Sequence, residues 1–479
     1  MERLLEKING FVWGIPALAL ILGVGIYLTV RTGCVQLRLL PKAVSAFLSK
    51  FGRRKTDAGE SSFQALCTAL AATVGTGNIA GVAGAIALGG PGSIFWMWVS
   101  AILGMITKFA EATLSVCYRR RGRDGDIYGG PMYMIETGMG KKWRPLAVSY
   151  CFFGVVAAFG MGNGTQVNAV VDSVHFVIGC FEREATLYED LLIGVCLAAL
   201  AAVSLAGGAK RIGQIATMLV PVAAAAYITL SLGALAAHAR AIPGALHAIV
   251  AGAFSPQAIT GGALGSVFIS LRVGLARGVF TNEAGMGTAG IAHGQSEVEH
   301  PAEQGLMGIM EVFLDTIVIC TLTALVILTS GTEIPYGLDE GALLTTRAFA
   351  MTYGQWVSIP LALFLCCFAF ATMLGWGLYG LRCAQYLFGK RCWRFFILLQ
   401  AIAAVGSTVL KTGTVWMLSE TVNGLMAIPN LVCLASLSPV LTDIIRDYEK
   451  KKSAGRSSLD RYSDKRDGRG TVWTMSPDS

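Results

Sequence analysis

The sequence has few charged side chains. Asp, Glu, Lys and Arg make up 14% of its 479 residues, whereas 54% of the residues are hydrophobic. A soluble domain carries about 25% charged residues, so this shortage argues against a soluble globular protein. The composition instead predicts an all-α polytopic membrane protein, because a chain that crosses the bilayer as helices satisfies its own backbone hydrogen bonds.

Familiar catalytic and metal-binding patterns are also missing from the sequence. Its 12 cysteines include no CxxC pair, and its five histidines have no metal-ligand spacing around them. No HExxH or GxSxG motif occurs, and no pair of carboxylates within a span suggests acid/base chemistry. We therefore do not expect an enzyme or a cofactor, and we interpret the cysteines as small apolar residues.

Long apolar runs dominate the chain. A helix needs about 20 apolar residues to cross a hydrocarbon core of about 30 Å, and eleven runs are long enough. They lie at 11–30, 63–89, 92–118, 146–172, 189–207, 213–238, 263–290, 305–330, 356–386, 393–410 and 414–440. The first run is too long for the apolar part of a signal peptide, and no typical cleavage site follows it, so we expect it to be retained.

The basic residues are unevenly distributed between the two faces of such a bundle. If the loops alternate sides, most of the 38 Lys and Arg residues fall on one face together with the C-terminal tail. Because basic loops stay in the cytoplasm, we predict a plasma (inner) membrane protein with its N-terminus outside and its C-terminus in the cytoplasm. The net charge of +8 then reflects topology and does not indicate nucleic-acid binding.

The second run has a polar, glycine-rich cluster in its middle. The cluster consists of Gly75, Thr76, Gly77 and Asn78. A helix interrupted at this depth frees N–H groups that can hold an anion and carbonyl groups that can hold a cation. The alternative is close helix packing, since Gly77 and Gly81 also form a GxxxG pair.

A second glycine-rich segment, residues 261–290, lies five spans later. Two interrupted helices with this spacing, which reverses the direction of the second, are typical of an inverted repeat. GMGTAG at 285–290 matches GxGxxG, but no strand precedes it, so we reject a dinucleotide site. We predict four parts: an N-terminal transmembrane helix and cytoplasmic amphipathic segment at 1–62, five-helix repeats at 63–238 and 239–445, and a disordered cytoplasmic tail at 446–479.

Isolated polar residues mark two further spans. Gln166 is a candidate substrate contact or a hydrogen bond between helices. Thr372 could add a hydroxyl oxygen to a cage for a hard monovalent cation, or it could bond back to its own helix. Trp376, one turn after Thr372, could form the wall of a small pocket or pack in the core.

Ionisable residues also occur within the predicted spans. Those of interest are Lys108, Glu111, Arg272, Arg277, Glu283 and Asp315. The first two lie one helical turn apart, so they can neutralise each other or a partner. The two arginines need counter-charges, which Glu283 or Asp315 could supply.

Longer motifs resemble those of a known family. They are TVGTGNIAGVAGAIALGGPGSIFWMW (73–98), KFAEATLSVCYR (108–119), YGGPMYMIE (128–136), RGVFTNEAGMGTAGIAH (277–293) and NGLMAIPN (423–430). They extend along nearly the whole chain and are similar to the signatures of the alanine or glycine:cation symporter family. One departure is Gly290, where the family is expected to have proline. This difference bears on gating at the cytoplasmic end of the seventh span more than on substrate identity.

The resemblance implies sodium-coupled uptake of alanine or glycine. It also implies a leucine-transporter-type 5+5 inverted repeat with one extra N-terminal helix, in a lipid bilayer. The residues that it places against the amino acid are Gly75, Thr76, Gly77, Asn78, Gln166 and Trp376. By analogy with sodium symporters of this fold, the sodium ion is expected to bind the carbonyls of Ala71 and Val74 and the hydroxyl of Thr372.

Buried ionisable residues and interrupted helices also occur in proteins with other functions. A symporter driven by protons would use Glu111, Glu283 or Asp315 as its titrating group. A channel is a further alternative, since polar interrupted helices also line pores. A membrane-embedded enzyme is disfavoured because the catalytic motifs are missing from the sequence.

Overall fold

The structure is a computed structural model that describes residues 9–10, 12, 14–51, 61–122, 126–179, 186–255, 266–410 and 412–453. Within these ranges the chain is mostly helical, as the composition predicts. The first residues of the predicted seventh span lie outside the described ranges. So does the part of the predicted tail beyond residue 453.

Helices follow one another along the chain. In the first half they are α1 Ile15–Arg31, α2 Val35–Arg38, α3 Leu40–Lys50, α4 Ser62–Thr73, α5 Ala80–Gly89, α6 Gly92–Cys117, α7 Pro131–Tyr133, α8 Arg144–Phe159, α9 Thr165–Gly179, α10 Leu187–Ala206 and α11 Gly208–Ala237. In the second half they are α12 Ile242–Phe254, α13 Val267–Asn282, α14 Thr288–His293, α15 Pro301–Val312, α16 Thr321–Thr329, α17 Ala342–Tyr353, α18 Ser358–Phe388, α19 Trp393–Ser407, α20 Thr412–Ser436 and α21 Ser438–Ser453.

Shorter elements connect these helices. Segments of π-helix lie at Met134–Met139, Gly160–Gly164 and Phe313–Cys320, and 3₁₀ turns lie at Thr76–Asn78, Lys141–Trp143, Ala239–Ala241, Gln355–Val357 and Lys390–Cys392. Two strands, β1 Arg120–Arg121 and β2 Ile127–Tyr128, pair antiparallel, with Arg120 opposite Tyr128. The second π-segment makes α8 and α9 one continuous span, and the third does the same for α15 and α16.

The structure does not establish the predicted number of eleven spans. Among the described residues, seven helical stretches are long and apolar enough to cross a membrane, or eight if the bent pair α4 and α5 counts as one span. Helices α13 and α19 have only 16 and 15 residues, short of the roughly 20 that a straight crossing needs. The number of eleven therefore stays a prediction.

Both predicted interruptions are present. Helix α4 ends at Thr73, and the chain makes a 3₁₀ turn before α5, with a bend of 61° between the two halves. Helix α13 ends at Asn282, and the chain then runs irregularly to α14 through Glu283, whose φ is 55°. We call residues 74–79 the first break and residues 283–287 the second break.

Small residues allow the central helix α6 to pack closely against its neighbours. A Cβ on Gly274 of α13 would overlap the backbone of Ser93, and a Cβ on Gly92 would overlap the backbone of Gly252 in α12. Helix α6 also packs along α15. Close approach of backbones is the usual way for helices to associate in lipid, where burial of apolar side chains drives little.

Helix α18 crosses the end of α4 at Gly375. A Cβ on Gly375 would lie 2.8 Å from Cβ of Ala72 and 2.9 Å from its backbone nitrogen. Only a glycine allows this approach without displacing α4. The crossing brings the preceding turn of α18, which carries Thr372, to the first break.

Two parts of the chain differ from the prediction. Helix α12 occupies a segment to which no span was assigned, and with 13 residues it is too short to cross the bilayer. The predicted disordered tail began at residue 446, but α21 continues to Ser453. Leu441, Ile444 and Ile445 of α21 are buried in the core of the bundle. Two acidic side chains add contacts: Glu449 lies 3.1 Å from Arg38, and Asp447 lies 3.3 Å from His300.

Candidate functional site

The first break releases backbone carbonyls inside the bundle. The N–H of Gly75, which would bond to the Ala71 carbonyl in a continuous helix, donates instead to Oδ1 of Asn78 at 2.8 Å. The N–H of Asn78 donates to the Gly75 carbonyl at 3.3 Å rather than to that of Val74. The carbonyls of Ala71 and Val74 therefore lose their helical donors, and their oxygens become available to a cation.

Thr372 and Gln166 reach this break from two other helices. Oγ1 of Thr372 lies 2.7 Å from the position that a Cβ on Gly75 would occupy, and Oε1 of Gln166 lies 3.8 Å from it. The hydroxyl of Thr76 also donates to Oε1 of Gln166 at 3.4 Å. The structure thus brings together four of the residues that the sequence predicts to form the site.

The hydroxyl of Thr372 is unusual because it is buried without a partner. The residue is 1% exposed, and its Oγ1 has no hydrogen-bond partner among the residues that the structure describes. The alternative in which this hydroxyl bonds back to its own helix is therefore wrong. A buried oxygen that neither its helix nor a neighbouring side chain satisfies is well suited to bind a cation.

Gly77 and Asn78 are held tightly by the surrounding helices. A Cβ on Gly77 would lie 2.9 Å from Cγ2 of Thr281 in α13. The amide nitrogen of Asn78 donates to Asp315 Oδ1 at 2.7 Å and to Cys320 Sγ at 3.3 Å. Because the amide oxygen of Asn78 already accepts from Gly75, both ends of this side chain are engaged, and it holds the break in shape.

Trp376 contacts the second break rather than the first. Its side chain lies against Gly162, and a Cβ added at Gly162 would overlap the Cβ of Trp376. Its indole N–H donates to Oε1 of Glu283 at 2.7 Å. Within the described ranges no hydrogen bond joins Trp376 to residues 75–78, so its role as a pocket wall stays a prediction.

Two carboxylates hold the second break. Oε1 of Glu111 accepts from the N–H groups of Gly285 and Gly287 at 3.0 and 3.1 Å. Oε2 of Glu283 accepts from the hydroxyl of Thr288 at 2.6 Å. The two bonds to Glu111 satisfy backbone donors that an interrupted helix would otherwise leave unpaired.

Arg277 in α13 lies against two acidic residues from other parts of the chain. Nη2 of Arg277 lies 3.0 Å from Asp339, and Nη1 lies 3.9 Å from Glu420. Glu283 bonds to Trp376, and Asp315 bonds to Asn78, so the acidic groups that lie against Arg277 are not the two that the sequence offered as possible counter-charges. The acidic partners come from a loop and from the last span, and sequence spacing contains no information on which distant segments meet.

The buried lysine of α6 likewise has a distant partner. Nζ of Lys108 lies 2.7 Å from Glu311 in α15, and both side chains are fully buried. Nε2 of His293 lies 3.0 Å from the other oxygen of Glu311. Of the two possibilities that we left open, neutralisation by a partner is therefore the one observed, while Glu111 binds the second break.

A cavity of about 890 Å³ lies at one end of the bundle. Its lining includes Ala80, which directly follows the first break, together with Arg277, Asp339 and Glu420. The side chain of Asp339 is 33% exposed, so the cavity reaches from the surface towards the break. Asp339 and Glu420 could not be predicted from the sequence, because an acidic residue near the end of a span has no feature that marks it as a partner of a distant arginine.

Comparison with known proteins shows the family of the chain. The model of the sodium:alanine symporter family matches residues 1–462. The chain belongs to this family. It is therefore a multi-pass membrane protein and a cation-coupled amino-acid transporter, as the motifs indicated, and the relatives below are transporters rather than enzymes.

Relatives match this transporter along almost its whole length. An uncharacterized transporter of Haemophilus influenzae is 42% identical over 451 residues, which cover 94% of this chain and 96% of the relative. The sodium/alanine symporter AgcS of Methanococcus maripaludis is 41% identical over 454 residues, covering 93% and 97%. The amino-acid carrier protein AlsT of Bacillus subtilis is 33% identical over 449 residues, covering 93% and 92%.

A solved structure shares the fold of the transporter. The crystal structure of MhsT in complex with L-phenylalanine superposes with a TM-score of 0.57 at 14% identity, covering 82% of this chain and 99% of that chain. At this identity the likeness shows the fold alone, which is of the leucine-transporter type. The 5+5 arrangement of the repeats stays a prediction.

Proposed function

We propose that this transporter imports alanine or glycine together with sodium by alternating access. The observation that supports it most is the set of oxygens at the first break. The carbonyls of Ala71 and Val74 have lost their helical donors, and the hydroxyl of Thr372 is buried without a partner. Uncharged oxygen ligands of this kind suit a hard cation of single charge, such as sodium.

The first break also offers donors to a small zwitterion. The backbone hydrogen bonds that the described residues make outside their helices include none donated by the N–H groups of Thr76 or Gly77. They lie at the positive end of the half-helix that leads into α5, which favours a carboxylate. Gln166 already contacts Thr76 and would bind the polar end of the amino acid, while Trp376 would limit the size of its side chain.

Sodium and the amino acid would be coupled through the backbone that they share. A cation on the carbonyls of Ala71 and Val74 fixes the segment whose N–H groups bind the carboxylate, so each ligand pre-organises the site for the other. A membrane potential of 100 mV adds about 2.3 kcal/mol for each charge that moves inward. This free energy corresponds to roughly fiftyfold accumulation of the substrate.

The direction of access follows from the predicted topology. With the N-terminus outside and the C-terminus in the cytoplasm, the cavity lined by Ala80, Arg277 and Asp339 would be the outer route to the site. Motion of the repeat 63–238 against the repeat 239–445 would then close this route and open the cytoplasmic one. The unwound segments allow such motion because they lie between rigid half-helices.

Uptake into proteoliposomes tests the proposed function. Labelled alanine or glycine should accumulate when sodium is higher outside than inside, and a negative interior should increase the accumulation. Potassium and choline salts serve as controls for ionic strength. Equal uptake with and without the sodium gradient would contradict the proposal.

Proton-coupled symport is a second candidate. Glu111, Glu283 and Asp315 are fully buried, and the hydrogen bonds that they accept come from neutral donors. An uncompensated charge at membrane depth is costly, and protonation would remove it. This candidate predicts uptake driven by a pH gradient in sodium-free buffer. Single-channel currents without saturable uptake would instead indicate a channel.

A further inference from the structure

A chain of hydrogen bonds leads from the first break into the span Pro301–Thr329. The N–H of Gly75 donates to Oδ1 of Asn78 at 2.8 Å. The amide nitrogen of Asn78 then donates to Oδ1 of Asp315 at 2.7 Å and to the Asp315 carbonyl at 3.2 Å. Asp315 lies in the π-helical segment Phe313–Cys320.

The same chain continues to the second break. The hydroxyl of Thr316 donates to the other carboxylate oxygen of Asp315 at 2.8 Å. The amide nitrogen of Asn282 donates to Oγ1 of Thr316 at 3.2 Å. Oδ1 of Asn282 in turn accepts from the N–H of Ala284, inside the second break, at 3.0 Å.

The four side chains of this path form a relay, which we define as Asn78, Asp315, Thr316 and Asn282. Each of them is at most 1% exposed, so water does not compete for their bonds. Each is engaged on both sides, so that displacing one changes the bonding of the next. Buried polar networks of this kind respond as a unit.

The position of the relay suits a moving part. A π-helical segment is locally wider than an α-helix and is often found at functional sites, where helix geometry can change at low cost. The two oxygens of Asp315 bond in two directions, towards Asn78 and towards Thr316. A single planar carboxylate therefore forms a hydrogen-bonded link between the two elements.

We infer that the relay couples the two breaks. When sodium and the amino acid order the first break, Asn78 shifts, and Asp315 and Thr316 transmit this shift to Asn282 and to the backbone of the second break. Asp315 and Thr316 are thus positioning residues that touch neither ligand. The inference rests on the proposed function, since it assigns to the relay part of the coupling between sodium and substrate.

The packing contact between the breaks is the competing route. Gly77 lies against the methyl group of Thr281, where a Cβ would come within 2.9 Å. This contact would transmit only steric repulsion between α13 and the first break, and it does not depend on Asp315 or Thr316. A substitution that cuts the relay and leaves Thr281 unchanged therefore separates the two routes.

Thr316→Val provides this substitution. Valine keeps the shape of threonine but removes the hydroxyl that joins Asp315 to Asn282. The measurement is the ratio of alanine dissociation constants in choline and in saturating sodium, on purified protein in detergent. In the wild type we expect sodium to tighten alanine binding by about 5- to 150-fold, the usual range of coupling between two sites. In Thr316→Val we expect the ratio to fall at least about fivefold.

Two further variants control for general effects on the fold. Thr316→Ser retains the hydroxyl and should restore the wild-type ratio. Thr329→Val, in the same span, removes a hydroxyl that donates to its own helix, at the Leu325 carbonyl 2.7 Å away, and should leave the ratio unchanged. A variant that only lowers overall stability would change the alanine dissociation constants in choline and in sodium by the same factor, so their ratio would stay the same.

The outcomes are separable. A wild-type protein whose alanine affinity does not depend on sodium would refute the proposed function, and the inference with it. A wild type with strong dependence, together with a Thr316→Val protein of equal ratio, would overturn the inference alone. If Thr316→Val does not fold, Asp315→Asn takes its place. Its amide oxygen can still accept from Asn78, but the NH₂ group that faces Thr316 can only donate, so the bond that Thr316 donates to Asp315 is lost. Its ratio should also fall, and an unchanged ratio would overturn the inference.

Discussion

Trp376 donates its indole N–H to Glu283 at 2.7 Å, so that helix α18 holds the second break. One turn earlier on the same helix, Thr372 lies beside Gly75 of the first break. A continuous helix therefore contacts both interruptions and fixes the distance between them. The two halves of the candidate site depend on α18 as a common support. Substitutions in α18 therefore test the candidate site directly.

The bond between Trp376 and Glu283 predicts the effect of Trp376→Phe. Phenylalanine retains most of the apolar surface but leaves a fully buried carboxylate oxygen without its donor, which costs about 1–3 kcal/mol. We expect lower thermal stability and alanine affinity reduced by about tenfold, measured by thermal unfolding and equilibrium binding. Trp96→Phe is the matched control, because Trp96 also donates its indole N–H, to the Ala253 carbonyl at 3.3 Å, away from both breaks. Equal losses in the two variants would contradict a special role for Trp376.

The unpartnered hydroxyl of Thr372 predicts a selective effect on sodium. Thr372→Ala removes one of the proposed oxygen ligands, and a group that binds a charge contributes about 1.5–3 kcal/mol. The sodium concentration for half-maximal uptake should rise by about tenfold or more, while the unfolding temperature changes little, since the hydroxyl makes no bond within the described part of the protein. Thr372→Ser should behave as the wild type. Sodium activation that is identical in wild type and Thr372→Ala would remove this residue from the site.

Gln166 is expected to act on the amino acid. Its Oε1 faces Gly75 and Thr76, whereas its amide nitrogen is anchored by the Met161 carbonyl at 3.1 Å. Gln166→Ala should lower alanine affinity by about 1 kcal/mol, roughly fivefold, with sodium activation less affected than in Thr372→Ala. Ser173→Ala, in the same helix, is a control, because that hydroxyl donates to the Ala169 carbonyl of its own helix. Unchanged alanine binding in Gln166→Ala would leave this side chain a role in packing alone.

The positions of both breaks could be predicted from the sequence. A helix at membrane depth cannot leave its backbone groups unpaired without cause, so glycine and polar residues inside an apolar run directly indicate an interruption. At the second break the backbone conformation itself requires glycine. Gly285 and Gly287 have φ values of 96° and 79°, which side chains with a Cβ rarely adopt.

The ion-pair partners that these helices find on distant parts of the chain could not be predicted. Lys108 and Glu311 are 203 residues apart, and Arg277 and Asp339 are 62 apart. Hydrophobic periodicity shows which face of a helix is buried but contains no information on the neighbour that buries it. Helix α12 was missed for a different reason, because its 13 residues are too few for a span and too apolar to indicate a loop.

The ion pair between Lys108 and Glu311 predicts a strong effect on stability. Both groups are fully buried at 2.7 Å, so Lys108→Met leaves a buried carboxylate that keeps its hydrogen bond to His293 but loses its charge partner, and breaking a buried pair costs about 3–5 kcal/mol. Lys108→Met combined with Glu311→Gln removes both charges and should recover most of this loss. The exposed pair of Arg347 and Glu340, also at 2.7 Å, is the control, and Arg347→Met should cost less than about 1 kcal/mol. The measurement is denaturant unfolding in mixed micelles. A Lys108→Met protein as stable as Arg347→Met, or a double variant no more stable than Lys108→Met, would show that the bundle does not depend on this charge pair.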